Sequence, residues 1–364
     1  MSDEQSMMPI SATRREVADQ ARVVAQVLNA QIDNLRALAR QLAERDTRHI
    51  VLLGSGDSWF AGMACRLAFE TYAGVSAEAI QAYEYAAYGH PAFDAQTATI
   101  LISSSGRPTT TWDALDRALA TSAYVIGITD KPYAGNPFSE KVHAALIPGA
   151  SKVGWPAQTT TATMALLIDL AIELGRARGH LSTDDADALS KQLRGTVDSM
   201  QSVLDAGDGW TQALARRLFT NDSRRVYTFV GSGPGLGVAY NGMALLAEGP
   251  QEVALVMSVE EFHHGLHIAT ISRDDVVIVI APAGAASKRL LDTARSVQSW
   301  GCQLVILTDT TDTSLHAFSN DIFRLPAVPE PMTPLLSILP LQQLSIHLAE
   351  NKTATGYQRP IKVP

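Results

Sequence analysis

Cysteine is scarce in this sequence: 364 residues carry only Cys65 and Cys302. Both sit in apolar helical or strand-flanking contexts, where a thiol reads as buried and free. That excludes a disulfide-stapled scaffold and fits a reducing cytoplasm. Basic runs are also missing, since no stretch of Lys or Arg exceeds two residues and the formal net charge is −8. A nucleic-acid partner is therefore excluded. The opening residues (MSDEQSMMPI) lack the basic-then-apolar order of a signal peptide. The longest apolar run, around Val276 to Ala286, is far below the ~20 residues a membrane span needs. A soluble cytoplasmic protein is expected, with no membrane partner. Its length suits two domains, each burying its own core.

What the chain does have is a repeat. The first copy runs from His49 (HIVLLGSGDS) through Ala98 (ATILISSSG) to Thr129-Asp130; the second runs from Arg225 (RVYTFVGSG) through Val276 (VVIVIAPAG) to Thr308-Asp309. The two GSG turns lie 177 residues apart, the glycines Gly106 and Gly284 178 apart, and the Thr-Asp pairs 179 apart. So small a drift across three landmarks indicates a duplicated α/β unit. The copies differ where chemistry is expected. Ser103-Ser104-Ser105-Gly106 offers hydroxyls, backbone N–H groups and a helix start converging on an anion. Its counterpart, Ala281-Pro282-Ala283-Gly284, has no hydroxyl and one N–H fewer.

Residues 11 to 44 carry apolar positions at helical spacing without Gly or Pro, predicting one or two amphipathic helices. Strands are predicted at His49–Gly54, Val75–Ile80, Ala98–Ser103 and Tyr124–Thr129, with helices at Ser58–Tyr72 and Thr109–Leu119 between them. Buried-looking strands alternating with helices imply parallel sheets covered on both faces. A charged helical stretch from Thr183 to about Ala215 links the copies, a last helix spans roughly Leu335 to Glu350, and the final fourteen residues read as irregular. The expected division is 1–46 N-terminal helices, 47–182 first domain, 183–224 linker, 225–350 second domain and 351–364 tail. Ligands of parallel sheets bind beyond the carboxyl ends of strands, which places Gly54–Ser58 and Ser103–Thr109 on one rim.

GSGDS at 54–58, SSSG at 103–106 and AEGPQEVALVMSVEEFHHG at 247–265 carry a resemblance to the sugar isomerase (SIS) family in its tandem form. The resemblance covers about residues 45 to 364. The chain resembles the isomerase half of glucosamine-6-phosphate synthase and related phosphosugar deaminases and deglycases. It implies two tandem flavodoxin-like, three-layer αβα domains with parallel sheets, preceded by the N-terminal helices. In that family a glutamate stands sixteen residues before the histidine of a His-Gly pair, as Glu248 stands before His264 here. The resemblance assigns the phosphate to Ser58, Ser103 and Ser105, with Ser104 donating through its backbone. The family's Gly-Glu-Thr continuation is Gly106-Arg107-Pro108 here, so Thr109 stands in for the missing hydroxyl. Arg107 either pairs with the phosphate or an acidic substrate group, or is solvated. The synthase's lysine three residues before its glutamate is Leu245 here. Lys362 is the nearest match to a family tail lysine able to form an imine with an open-chain ketose, the alternative being an exposed tail residue.

These residues suit aldose–ketose chemistry. A carboxylate moves a proton between adjacent carbons, and a histidine titrates near neutrality for ring opening or leaving-group protonation. Stepping back 177 residues, Glu248 falls on Thr71 and His264 on Ala87, so the first copy lacks both. Glu261 falls on Glu84, which marks it as scaffold. Competing readings remain: Glu248 ends its helix before Gly249-Pro250, the serines form a polar turn, or His263, His264 and His267 hold a metal, though they lack a carboxylate or cysteine partner. GSGPGLG at 231–237 lacks the dinucleotide spacing.

The expected function is a phosphosugar isomerase-type enzyme acting on an amino-sugar phosphate or a fructosyl-amine 6-phosphate, as deaminase or deglycase. It is expected to need neither metal nor cofactor and to lack a glutaminase domain. The alternatives are plain aldose–ketose isomerisation and a non-catalytic sugar-phosphate-binding regulator. The resemblance also implies a homodimer in which the histidine segment reaches the neighbouring subunit's site.

Overall fold

The computed structural model describes residues 10–89, 93–107, 109–220, 225–265, 271–309 and 313–356. Three helices, α1 (Ile10–Ala18), α2 (Gln20–Ala30) and α3 (Ile32–Glu44), precede β1 (His49–Gly54) and α4 (Asp57–Ala68). Then come β2 (Ser76–Gln81), α5 (Ala82–Tyr88), β3 (Thr97–Ile102) and α6 (Thr110–Leu119). The first repeat ends with β4 (Tyr124–Ile128), α7 (Pro137–Glu140), β5 (Ala144–Leu146) and α8 (Gln158–Ala177). The linker is one helix, α9 (Thr183–Leu218). The second repeat opens with β6 (Val226–Gly231), α10 (Pro234–Glu248), β7 (Val253–Ser258) and α11 (Val259–His264). It continues with β8 (Val276–Ile280), α12 (Ser287–Trp300), β9 (Gln303–Thr308), β10 (Asp321–Arg324) and α13 (Pro334–Ala354).

The chain forms two compact units. One comprises Gln20–Ser151 and Gln158–Val197; the other takes the chain from Asp198 onward, together with Lys152–Ala157 and the N-terminal segment up to Asp19. Helices α2 and α3 therefore belong with the first repeat and α1 with the second. The attachment of α1 is polar and specific: the Glu16 carboxylate accepts the Val153 and Gly154 amides at 2.7 and 3.1 Å.

Each unit holds a five-stranded parallel sheet. The orders are β2-β1-β3-β4-β5 and β7-β6-β8-β9-β10, the same topology twice. The central strands are buried on both faces, as continuous apolar runs such as Thr97–Ile102 (TATILI) and Val276–Ile280 (VVIVI) require. The repetition extends to single hydrogen bonds. Ser103 N donates to Ile128 O at 2.9 Å, and Ala281 N donates to Leu307 O at 2.7 Å. The α5 and α11 helices are each capped by the side chain three residues before the repeated glutamate, Gln81 accepting from Glu84 N and Ser258 from Glu261 N. The shared Glu-aromatic dipeptide thus marks a helix start in both copies.

One long helix runs through the core of each unit. All of Gln158–Gly175 in α8 and all of Pro334–Ala349 in α13 are buried. A helix buried all round has no amphipathic stripe to betray it, and the threonine run Thr159–Thr161 further disguises α8. Among the described residues no helix is long and apolar enough to cross a membrane.

Candidate functional site

The first-repeat rim is built at the carboxyl ends of β1 and β3, which pair directly, with Leu53 opposite Leu101. The chain leaves β1 for β2 on one side, while β4 and β5 lie beyond β3 on the other. This is the switch point where open parallel sheets bind ligands. At Gly54 the start of α4 comes so close that a Cβ would lie 2.7 Å from Ser58 C and Trp59 N. Gly56, with φ 55°, turns the chain into α4 as its N-cap. That places Ser58 in the first turn of α4, where amides and dipole favour an anion.

The second turn is held from behind. Gly106 has φ +61°, and a Cβ there would lie 2.2 Å from Asn136 Nδ2. Asn136 is fully buried. It donates to Thr129 Oγ1 at 3.1 Å and to Lys131 O at 2.7 Å, and accepts from Phe138 N at 3.0 Å. Tyr133 Oη and Trp112 Nε1 both donate to Gly106 O, at 2.7 and 3.2 Å. Ser104 O accepts from Asp130 N at 3.0 Å. So anchored, the turn presents Ser103, Ser104 and Ser105 in a fixed frame. Among the described residues the Ser104 and Ser105 amides and the Ser103 hydroxyl meet no acceptor. Ser105 Oγ accepts from Arg107 N at 3.3 Å. Thr109 is the N-cap of α6, its hydroxyl 2.6 Å from Thr111 Oγ1. Arg107 is exposed. Asn136, Tyr133 and Trp112 have no motif in the sequence; only the short approach at Gly106 reveals them. On the neighbouring strand, Gln81 donates to Ser55 Oγ at 3.2 Å and so steadies the first turn.

The same turns in the second repeat are closed on themselves. Gly231 and Gly233 repeat Gly54 and Gly56, Gly233 having φ 52° as the N-cap of α10. After β8, however, Ala283 N donates to Asp309 Oδ1, Gly284 N to Ser287 Oγ at 3.0 Å, and Ala285 N to both Glu330 carboxylate oxygens at 3.3 Å. Burial raises the pKa of Asp309, an effect opposed by the Ala283 amide.

Glu248 is the last, half-buried residue of α10. It stands before β7, whereas His264 ends α11 after β7. Because β7 alone spans roughly 20 Å at ~3.3 Å per residue, one chain does not bring these two side chains together within this unit. Lys352, which the sequence reading passes over, lies on the Glu248 side. Its ammonium is 2.9 Å from Glu252 Oε1 and 3.2 Å from Gln251 O. His264 is 70% exposed, with Nε2 3.6 Å from Glu260 Oε1. Arg289 lowers the pKa of Glu260 by donating to it at 2.7 Å. His263 turns the other way, its Nε2 2.9 Å from Thr293 Oγ1. Its pKa is lowered by partial burial and then by Arg289. The adjacent histidines thus point to different surroundings, and no group of three metal-ligating side chains occurs among the described residues. Lys362 and His267 lie outside the described residues.

A duplicated parallel α/β unit with paired strand-end turns defines a tandem three-layer α/β fold. The sequence matches the SIS domain over residues 45–173 and 221–351, and the chain belongs to that family. It is 26% identical, over 358 residues, to a glutamine–fructose-6-phosphate aminotransferase (isomerizing) of Streptomyces coelicolor, covering 94% of this chain and 56% of that protein. The chain thus spans about half the length of such relatives. The C-terminal domain of glucosamine-fructose-6-phosphate aminotransferase from Francisella tularensis superposes with a TM-score of 0.84 at 19% identity, covering 94% of this chain and 96% of that one. Glucosamine-6-phosphate deaminase of Thermotoga maritima gives 0.71 at 17% identity, covering 93% and 94%.

Proposed function

We propose that the protein is a sugar-phosphate isomerase-type enzyme whose substrate is an amino-sugar phosphate or a fructosyl-amine 6-phosphate. The observation that carries this reading is the contrast between two equivalent turns. After β3, the Ser103 hydroxyl and the Ser104 and Ser105 amides of a braced loop meet no acceptor among the described residues; after β8, the amides are taken by the protein's own Asp309, Ser287 and Glu330. Ser58, Ser103, Ser104, Ser105 and Thr109 hold the phosphate, Thr109 also capping the start of α6.

Glu248 is the base that carries the proton between C1 and C2. His264 assists ring opening or protonates the leaving amine. Since Glu248 and His264 stand at opposite ends of β7, the reading includes a homodimer in which His264 serves the partner subunit's site. Its 70% exposure leaves it available for that role. Lys362 is the amine proposed for imine formation. Similarity to a glutamine–fructose-6-phosphate aminotransferase and to a glucosamine-6-phosphate deaminase supports the substrate class.

The test is a Glu248→Gln variant assayed with glucosamine 6-phosphate and fructosyl-amine 6-phosphates for released ammonia or amine. Binding should persist while turnover falls ~10²- to 10⁴-fold; undiminished turnover removes Glu248 as base.

A further inference from the structure

The second repeat's turn contains an anion already, and it comes from the chain itself. Ala285 N donates to both oxygens of Glu330 at 3.3 Å. The carboxylate also lies against Gly284, where a Cβ would come within 2.2 Å of Oε1. It faces Gly233 too, whose Cβ position is 4.0 Å from the same oxygen. Gly233 and Gly284 are the counterparts of Gly56 and Gly106. Glu330 is therefore bracketed by both strand-end turns of its repeat, as the proposed phosphate is bracketed in the other.

The carboxylate is delivered by a stiff segment. Pro329, Pro331 and Pro334 flank Glu330, each fixing its own φ. Glu330 opens a single 3₁₀ turn through Met332, in which Thr333 N and Oγ1 both donate to Glu330 O, at 3.1 and 2.8 Å. Prolines and turn together limit the entropy lost in holding the side chain there.

We infer that Glu330 is a built-in plug for the second repeat's anion site, a carboxylate standing where a phosphate monoester would bind. The site behind it is latent: deleting the carboxylate turns it into a phosphate-binding site. The inference leans on the first-repeat reading only for its choice of probe.

The experiment uses the full chain and inorganic phosphate. In a Ser103→Ala/Ser105→Ala background, phosphate binding by calorimetry should be weak or lost. Adding Glu330→Ala should restore one binding event per chain, and phosphate should raise the Tm of that variant by several degrees more than that of its parent. A tungstate soak of Glu330→Ala crystals should place an anion beside the Ala285 amide. No gain in phosphate binding and no extra Tm response on removing Glu330 would overturn the inference. If Glu330→Ala does not fold, the folded Ser103→Ala/Ser105→Ala parent still decides: an anion seen beside Ala285 while Glu330 is present shows that the side chain is no plug. Phosphate retained by the parent in the Ser103 turn would instead count against the serine anchor and leave the Glu330 comparison intact.

Discussion

The turns after β3 and β8 stand at equivalent strand ends and have opposite chemistry. Both are pinned by an amide to the neighbouring strand, Ser103 to Ile128 and Ala281 to Leu307. Both also follow a glycine-capped helix on the adjacent strand. Among the described residues one keeps the Ser103 hydroxyl and two amides without an acceptor, while the other's amides are taken by side chains of its own unit. A duplicated fold can thus keep its strand pairing while the side chains and free donors at equivalent turns diverge.

The largest effect expected from breaking this comparison is on turnover. Glu248 has no counterpart in the first repeat, where Thr71 stands, so Glu248→Gln should lower kcat by ~10²- to 10⁴-fold with KM little changed. Next comes anchoring: Ser103→Ala with Ser105→Ala should raise the Kd for a sugar phosphate by roughly 10- to 100-fold, at ~1.5–3 kcal/mol for a hydrogen bond to a charged group. Calorimetry on the folded variants checks this, and transplanting serines to positions 281 and 283 should yield no binding while Glu330 is present.

Effects on stability separate the two glycines. Gly106→Ala should cost about 2–4 kcal/mol, because a positive φ and the buried Asn136 both oppose a Cβ. Gly284→Ala should cost about 1 kcal/mol, since its φ is not positive and Glu330 is a side chain that can move aside. Urea unfolding distinguishes the two, and equal losses would contradict the bracing assigned to Asn136.

A pH-dependent effect concerns the core helices. Helix α8 carries Asp169 and Glu173, both inaccessible, whereas α13 buries no carboxylate. Burial pushes the Asp169 pKa up to about 6, opposed by Arg194, which lies 3.4 Å away. A carboxyl whose folded pKa exceeds its unfolded one binds more protons when folded, so its contribution is present below about pH 4 and fades as pH rises through about 6. Parent stability relative to Asp169→Asn should therefore fall over that window by up to roughly 2–3 kcal/mol. A flat difference between pH 4 and 7 would contradict it.

Much of the fold could be read from the chain because buried parallel strands are continuous apolar runs and the repeat supplied its own alignment. Strands β1 to β4 fall within a residue or so of their expected limits. Helix α8 escaped although the equally buried α13 was legible, because the threonines Thr159–Thr161 break its apolar run at the start. The serine turn was legible from its composition. Its bracing by Asn136, Tyr133 and Trp112 was not, since contacts across a loop leave no periodic trace. The filling of the sister turn by Glu330 was equally hidden, arriving from 45 residues away in sequence. The separation of Glu248 from His264 follows from topology, which the sixteen-residue spacing alone does not disclose.

The most direct measurement is a calorimetric titration of the Glu248→Gln chain with glucosamine 6-phosphate, with the serines at 103 and 105 intact and with both replaced by alanine. A single site per chain that is lost with the serines is the expected result. Equal affinity in the two proteins would contradict the division of labour between the repeats.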